Sequence, residues 1–320
     1  MDNSKKKFQL KEETIKEINK HLRSQFEDKD EILKARVNEE ENPRDREEYQ
    51  RDYTRILYSS AFRRLQGKMQ LMALNGTNFI RNRLPHSLEV AQIARSIAND
   101  IGYNSDELYV VEACSLAHDI GNPPFGHYGE RVLNHIIEEK CRTLGYDFMD
   151  IEGFEGNAQT LRVLTHLSRK SSKYPGLNLT NRVLLGVVKY FNTFSDNKKK
   201  FIYREDFEIL NDLVDKYDLP KRTLDVQIMD LSDEIAYAAH DIEDSLKNRK
   251  FTVEEFLEEF KYNVTLKKDY SKEEFESAVD FIENDIIEAA KKRVQGNSTQ
   301  YNDFFAKEIG NIGVQGVQTR

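Results

Sequence analysis

The chain has 320 residues, with 48 Lys and Arg against 56 Asp and Glu, so its formal net charge at pH 7 is −8. This acidic balance excludes a generally basic nucleic-acid coat protein. With 38% hydrophobic residues the chain is not a charge-dominated disordered segment, and its length suits one large or two small domains. Only six Pro and 15 Gly interrupt it, so the composition favours a mostly helical fold.

The N-terminal sequence and the cysteine content indicate the cellular compartment. The chain begins Met1-Asp2-Asn3-Ser4 without an apolar signal segment, and it has only two cysteines, Cys114 and Cys141. No apolar run approaches the roughly 20 residues that span a bilayer. We therefore expect a cytoplasmic protein without disulfides and without a membrane partner.

The first 70 residues combine an amphipathic helix with a cluster of arginines. Residues 1–35 are typical of a helix that packs against another surface, because apolar residues recur at spacings of three and four. Between Glu39 and Lys68 the chain then carries six arginines: Arg44, Arg46, Arg51, Arg55, Arg63 and Arg64. The cluster has two interpretations, an anionic ligand or helix faces on which Glu and Arg pair.

Two consecutive helices are predicted between residues 84 and 120. Pro85 suits the first turn of the first helix, and Gly102 ends it. Ser105 can cap the second helix, whose apolar run ends at the Gly121-Asn122-Pro123-Pro124 turn. A third helix is predicted from Phe125 to Lys140, and the longest regular helix from Leu224 to Leu246.

Candidate metal ligands occur at the end of the second helix. His118 and Asp119 close an apolar run, where a buried aspartate needs either a cation or a set of hydrogen bonds. His86, at the start of the preceding helix, reads on its own as a surface or capping residue. An antiparallel hairpin of the two helices does not by itself place it beside His118, whereas helices that cross after their tight turn can.

Two further polar groups have both an ordinary and a functional interpretation. Asp233, Tyr237 and Asp241 line one face of the longest helix, where stacked carboxylates are either solvated or neutralised by a divalent cation. His127 and Glu130 are three residues apart, so the carboxylate can orient the imidazole in an acid-base pair. Without a metal nearby they form an ordinary surface pair.

The order of these segments resembles a known family. Arg83-x-x-His86, then HDIGNPPFGHYGE at 118–130, then SDEIAY at 232–237 is similar to the HD-domain deoxynucleoside triphosphate triphosphohydrolases, the dGTPase-like family. The segments YTRILYSSAFRRLQGKMQ at 53–70, FEGNAQTLRVL at 154–164 and GLNLTNRVLLGVVKY at 176–190 agree as well. A generic HD phosphohydrolase shares the His, His-Asp, Asp skeleton but not these longer segments.

The resemblance implies an all-α fold, an HD-domain helical bundle with additional peripheral helices. It implies an N-terminal helical arm at 1–40, a catalytic domain at 41–250, and a helical C-terminal region at 251–320 that is truncated relative to the family. The implied metal ligands are His86, His118, Asp119 and Asp233, with His127 as the acid-base residue and Glu130 as its partner. The implied substrate contacts are Arg64, Gln70, Leu71, Asn122, Tyr237 and Asp241.

The implied activity is metal-dependent hydrolysis of a dNTP, with dGTP favoured, to the deoxynucleoside and inorganic triphosphate. The ligand set suits Mn or Mg, with Fe, Zn or Ni as further candidates. Family members form even-numbered homo-oligomers, so a tetramer or hexamer is expected. Two alternatives stay open: another HD phosphohydrolase acting on nucleotides, and a nucleotide-sensing oligomer that binds single-stranded DNA and has weak catalysis.

Overall fold

The computed structural model describes residues 12–40, 45–69, 82–247, 250–263, 271–294 and 305. Secondary structure in these ranges is helical apart from three isolated β-bridges, which confirms the predicted all-α fold class. Among the helices in these ranges, none combines the length and hydrophobicity needed to cross a membrane.

The first seven α-helices are α1 (Glu12–Arg23), α2 (Asp30–Lys34), α3 (Glu48–Leu57), α4 (Ser60–Arg63), α5 (Arg83–Ile101), α6 (Ser105–Ala117) and α7 (Gly126–Leu144). The next eight are α8 (Phe148–Ile151), α9 (Gly156–Arg162), α10 (Asn181–Val187), α11 (Arg204–Tyr217), α12 (Leu224–Lys247), α13 (Val253–Tyr262), α14 (Lys272–Asp280) and α15 (Glu288–Val294). Short 3-10 segments at Ser24–Phe26 and Arg64–Gly67 and π-helical segments at Val163–Leu167 and Phe281–Ile287 adjoin them.

The chain divides into two compact units. One contains Asn19–Asp233, and the other contains the described residues before Asn19 and after Asp233. The predicted domain limits at residues 40 and 250 stay a prediction. The second unit has its own apolar core, to which Leu246, Val253 and Phe305 contribute.

Helices α5 and α6 are defined by the residues at their ends. Gly102 adopts the left-handed backbone (φ 92°) that ends α5, as predicted. The predicted Ser105 cap is wrong, because the Asn104 side chain accepts the N–H groups of Asp106 and Glu107. The Glu107 side chain in turn accepts the Asn104 backbone N–H, so the two residues form a capping box.

The core of the Asn19–Asp233 unit is mainly apolar and includes the buried ion pair of Arg182 and Asp225. Its centre includes Ile56 of α3, Val110 of α6 and Leu185 of α10. Arg182 of α10 donates to Asp225 of α12 at 2.9 and 3.1 Å. A fully buried carboxylate requires such a partner. Cys114 and Cys141 are both buried and unpaired, which agrees with the expected absence of disulfides.

The arginine cluster is used mainly for ion pairs. Arg51 and Arg55 are mostly buried, and both face Glu40, with Arg55 at 2.6 Å. Arg51 also pairs with Glu48 at 2.8 Å. The pairing interpretation therefore holds for these two arginines. Arg64, at the start of the 3-10 segment, is exposed.

Candidate metal centre

The packing of α5 against α6 brings two histidines together. His86 lies in the first turns of α5, and His118 caps the C-terminal end of α6. Their ring centroids are 5.5 Å apart, and both residues are buried. The surface interpretation of His86 alone is therefore wrong, because its burial depends on the packing of α5 against α6, which its own sequence neighbourhood does not show.

His118 presents one nitrogen to the interior of the cluster. Its Nδ1 lies 2.6 Å from the Ser115 carbonyl, so Nδ1 donates a hydrogen bond there and Nε2 faces the cluster. Nε2 is buried and, among the described residues, has no hydrogen-bond partner. A buried polar atom without a partner is costly unless a bound group satisfies it.

Asp119 supplies a third ligand atom. Its Oδ1 lies 3.5 Å from His118 Nε2, and one ligand atom from each of His86, His118 and Asp119 lies within 4.8 Å of the others. The carboxylate also accepts the Arg83 guanidinium at 2.5 Å and the Asn122 side-chain amide. Although burial alone would raise it, His118 and Arg83 lower the pKa of Asp119.

Asp233 joins the two histidines from α12. Its Oδ1 lies 2.9 Å from His86 Nε2 and 3.4 Å from His118 Nε2. Burial opposes ionisation, but His118, His86 and Lys189 hold the pKa of Asp233 far below its usual range. Burial lowers the pKa of His86, and the Asp233 hydrogen bond only partly offsets this. The histidine and carboxylate ligands predicted from the sequence therefore lie together.

This set of donors fits a divalent metal ion. Two imidazole nitrogens and two carboxylates are ligands that Mn, Fe, Zn and related divalent ions accept. The Ser115 carbonyl fixes the tautomer of His118, as hydrogen-bond partners do for metal-binding histidines. The unpartnered Nε2 of His118 is the observation that most directly favours a metal over a purely hydrogen-bonded cluster.

The predicted acid-base pair lies at the start of α7. Phe125 precedes α7 with a positive φ of 66°, and His127 is exposed. Glu130 is partly buried and accepts the Gly156 N–H at 3.3 Å. Burial and then the charge of Glu155 raise the pKa of Glu130, while the nearby His127 acts in the opposite direction.

The other predicted substrate residues lie in different surroundings. Asn122 has its amide on Asp119, so its first contact is with a candidate ligand. Tyr237 and Asp241 are exposed and follow Asp233 by four and eight residues in α12. Gln70 and Leu71 lie outside the described residues.

Sequence reasoning missed two lysines that contact the site. Lys189 Nζ lies 2.8 Å from Asp233 Oδ2 and 3.0 Å from Asp230. Lys68 Nζ donates to the carbonyls of Ile120 and Asn122. Both lysines lie within segments that match the family, at 53–70 and 176–190, and that match was the one signal available for them.

Comparison with known proteins agrees with this geometry. The HD domain family model matches residues 83–238, a span that contains all four candidate ligands. The deoxyguanosinetriphosphate triphosphohydrolase-like protein 2 of Vibrio cholerae serotype O1 is 45% identical over 265 residues, which are 82% of this chain and 61% of the relative. A deoxyguanosinetriphosphate triphosphohydrolase-like protein of Rickettsia bellii is 42% identical over 202 residues, 63% of this chain and 48% of the relative. The chain belongs to the HD-domain, dGTPase-like family.

Membership of the dGTPase-like family confirms the resemblance seen in the sequence. This family member spans about half to three fifths of the length of the two relatives. The matched region is the part that carries the histidine and aspartate cluster.

Proposed function

We propose that this dGTPase-like protein hydrolyses a deoxynucleoside triphosphate, with dGTP favoured, to the deoxynucleoside and inorganic triphosphate. The observation that carries the proposal is the buried cluster of His86, His118 and Asp119, in which His118 Nε2 lacks a hydrogen-bond partner. The names of the relatives supply the substrate class.

His86, His118, Asp119 and Asp233 would hold the divalent ion, with Mn or Mg favoured and Fe, Zn or Ni as further candidates. Such an ion, when bound, makes a water molecule more acidic and offsets charge on a phosphoryl oxygen. The ligands are prepared for this role, because Asp119 and Asp233 are ionised at neutral pH.

His127 would donate the proton that the departing 5′ oxygen of the nucleoside needs. Its exposed position at the start of α7 leaves the imidazole accessible to a substrate. Glu130, three residues later, would orient the imidazole. The reaction then needs proton transfer from Nδ1 or Nε2 of His127, whichever faces the leaving oxygen.

Cationic side chains would hold the triphosphate. Arg64 is exposed, and Lys189 places an ammonium beside Asp233, so both are candidates for a phosphate contact. Gln70, Leu71, Tyr237 and Asp241 are assigned to the sugar and its neighbouring phosphate by resemblance. Asn122 would act through its hydrogen bond to Asp119.

The test is product identification after incubation with Mn²⁺ and each dNTP, singly and as a mixture. Inorganic triphosphate and deoxynucleoside, resolved by phosphorus NMR and chromatography, are the expected products. His118→Ala should abolish turnover, whereas His135→Ala should not, because His135 is an exposed histidine on α7. Pyrophosphate or monophosphate as the product would contradict the proposal.

Assembly and DNA binding are separate proposals that rest on the resemblance. An even-numbered homo-oligomer, a tetramer or hexamer, is expected by light scattering. A salt-dependent shift of single-stranded DNA without dNTP turnover would favour the nucleotide-sensing alternative over the triphosphohydrolase.

A further inference from the structure

A closed ring of hydrogen bonds surrounds the candidate ligand Asp119. The Arg83 guanidinium donates to one carboxylate oxygen at 2.5 Å, and the Asn122 amide donates to the other. The Asn122 carbonyl accepts the Lys68 ammonium at 2.6 Å. The Lys68 carbonyl accepts the backbone N–H of Arg83 at 2.9 Å, which closes the ring.

Lys68 contributes to this ring from both its backbone and its side chain. Its ammonium also donates to the Ile120 carbonyl at 3.0 Å, so one side chain holds two carbonyls on either side of Gly121. These carbonyls follow the last turn of α6, where helical carbonyls lack partners and a cation is favourable. Lys68 thus connects the turn after Asp119 to the start of α5, which carries His86.

The position of Lys68 differs from that of an ordinary surface lysine. The side chain is partly buried next to Arg64 and Arg83, two like charges that disfavour an ammonium there. Among the described residues its side-chain hydrogen bonds go to backbone carbonyls. Because two like charges disfavour the ammonium here, we infer that the role of Lys68 is to hold the turn through its hydrogen bonds to the two carbonyls.

We propose that Lys68 is a positioning residue for Asp119, because it fixes the turn at Asn122 and the backbone of Arg83, whose side chains donate to the two carboxylate oxygens. The proposal rests on the metal centre proposed above and extends it to a residue outside the ligand set. Groups that orient metal ligands typically change metal affinity by about 10- to 100-fold when they are removed.

The experiment is a Mn²⁺ titration of the full chain, followed by calorimetry, together with thermal unfolding of the metal-free protein. Lys68→Met keeps most of the side-chain volume and removes the donors, and should weaken Mn²⁺ binding by about 10- to 100-fold. Lys68→Arg should recover most of the affinity, because a guanidinium also donates to two carbonyls. The matched control is Lys140→Met, at an exposed position on α7, which should bind Mn²⁺ as the wild type does.

A double variant distinguishes positioning from general destabilisation. If Lys68 acts through Asn122, then Lys68→Met combined with Asn122→Ala should bind Mn²⁺ no more weakly than the weaker single variant. Additive losses would overturn the proposal, and so would wild-type affinity in Lys68→Met. If Lys68→Met does not fold, Lys68→Gln serves for the same comparison, because its shorter amide does not span both carbonyls. A wild-type protein that binds no Mn²⁺ would overturn the metal centre and this inference together.

Discussion

Lys189 is the cation that most directly opposes a metal ion at the candidate centre. Its ammonium lies 2.8 Å from Asp233 and 3.0 Å from Asp230, and its side chain is only 11% exposed. Both carboxylates strongly raise the pKa of Lys189 against the effect of burial, so the lysine is charged throughout the working pH range. Replacing Lys189 with Met removes this charge and keeps most of the volume.

The expected cost in the metal-free protein follows from the burial of the three groups. Breaking a fully buried ion pair costs about 3–5 kcal/mol of unfolding free energy. The side chains of Asp233 and Asp230 are 23% and 20% exposed, so we expect a smaller loss of about 2–3 kcal/mol. For a unit of roughly 150–250 residues this lowers Tm by about 4–12 °C.

Mn²⁺ should then stabilise Lys189→Met more than it stabilises the wild type. Without the ammonium, Asp233 keeps only its contacts with His86 and His118, and a divalent cation supplies the missing positive charge. The assay is thermal unfolding with and without Mn²⁺, with Lys140→Met as the exposed control. An unchanged metal-free Tm, or a Mn²⁺ shift no larger than that of the wild type, would refute this reasoning.

Three further predictions concern the surroundings of the site. Glu155→Gln removes a charge that raises the pKa of Glu130, so the acid limb of the pH–rate profile should move to lower pH. An unmoved limb would contradict the proposed role of Glu130 in the acid-base pair. Gly156→Ala places a methyl group 2.4 Å from Asn122 Oδ1, which displaces the side chain that donates to Asp119. Mn²⁺ affinity measured by calorimetry should therefore fall at least several-fold with little loss of Tm, and an unchanged affinity would contradict this role of Asn122. Asp225→Ala removes the buried ion pair between α10 and α12 and should lower the free energy of unfolding in urea by about 3–5 kcal/mol. A loss below about 1 kcal/mol would contradict this expectation.

Local sequence signals predicted the helices better than they predicted burial. Pro85 and Gly102 mark the two ends of α5, because each acts through its own backbone conformation. Asn104 rather than Ser105 caps α6, because Glu107 lies three residues after Asn104 and its carboxylate accepts the Asn104 backbone N–H. His86 was misjudged on its own residue type, because its burial depends on how α5 packs against α6.

The site was predictable in its ligands but not in its lysines. His118 and Asp119 stand out because polar ligands end an apolar helix, and the family resemblance adds His86 and Asp233. Lys189 gives no such signal, because nothing in its local sequence shows that its ammonium lies 2.8 Å from Asp233 Oδ2 on α12. Contacts between segments 44 residues apart come from tertiary packing.

The central claim is that the buried histidine and aspartate cluster is a divalent metal centre. The most direct test is a Mn²⁺ titration of metal-free wild type, His118→Ala and His135→Ala, followed by calorimetry and by the electron paramagnetic resonance of free Mn²⁺. The account predicts that wild type and His135→Ala bind Mn²⁺ alike and that His118→Ala loses at least about 100-fold in affinity. Equal binding by all three proteins, or none by the wild type, would contradict it.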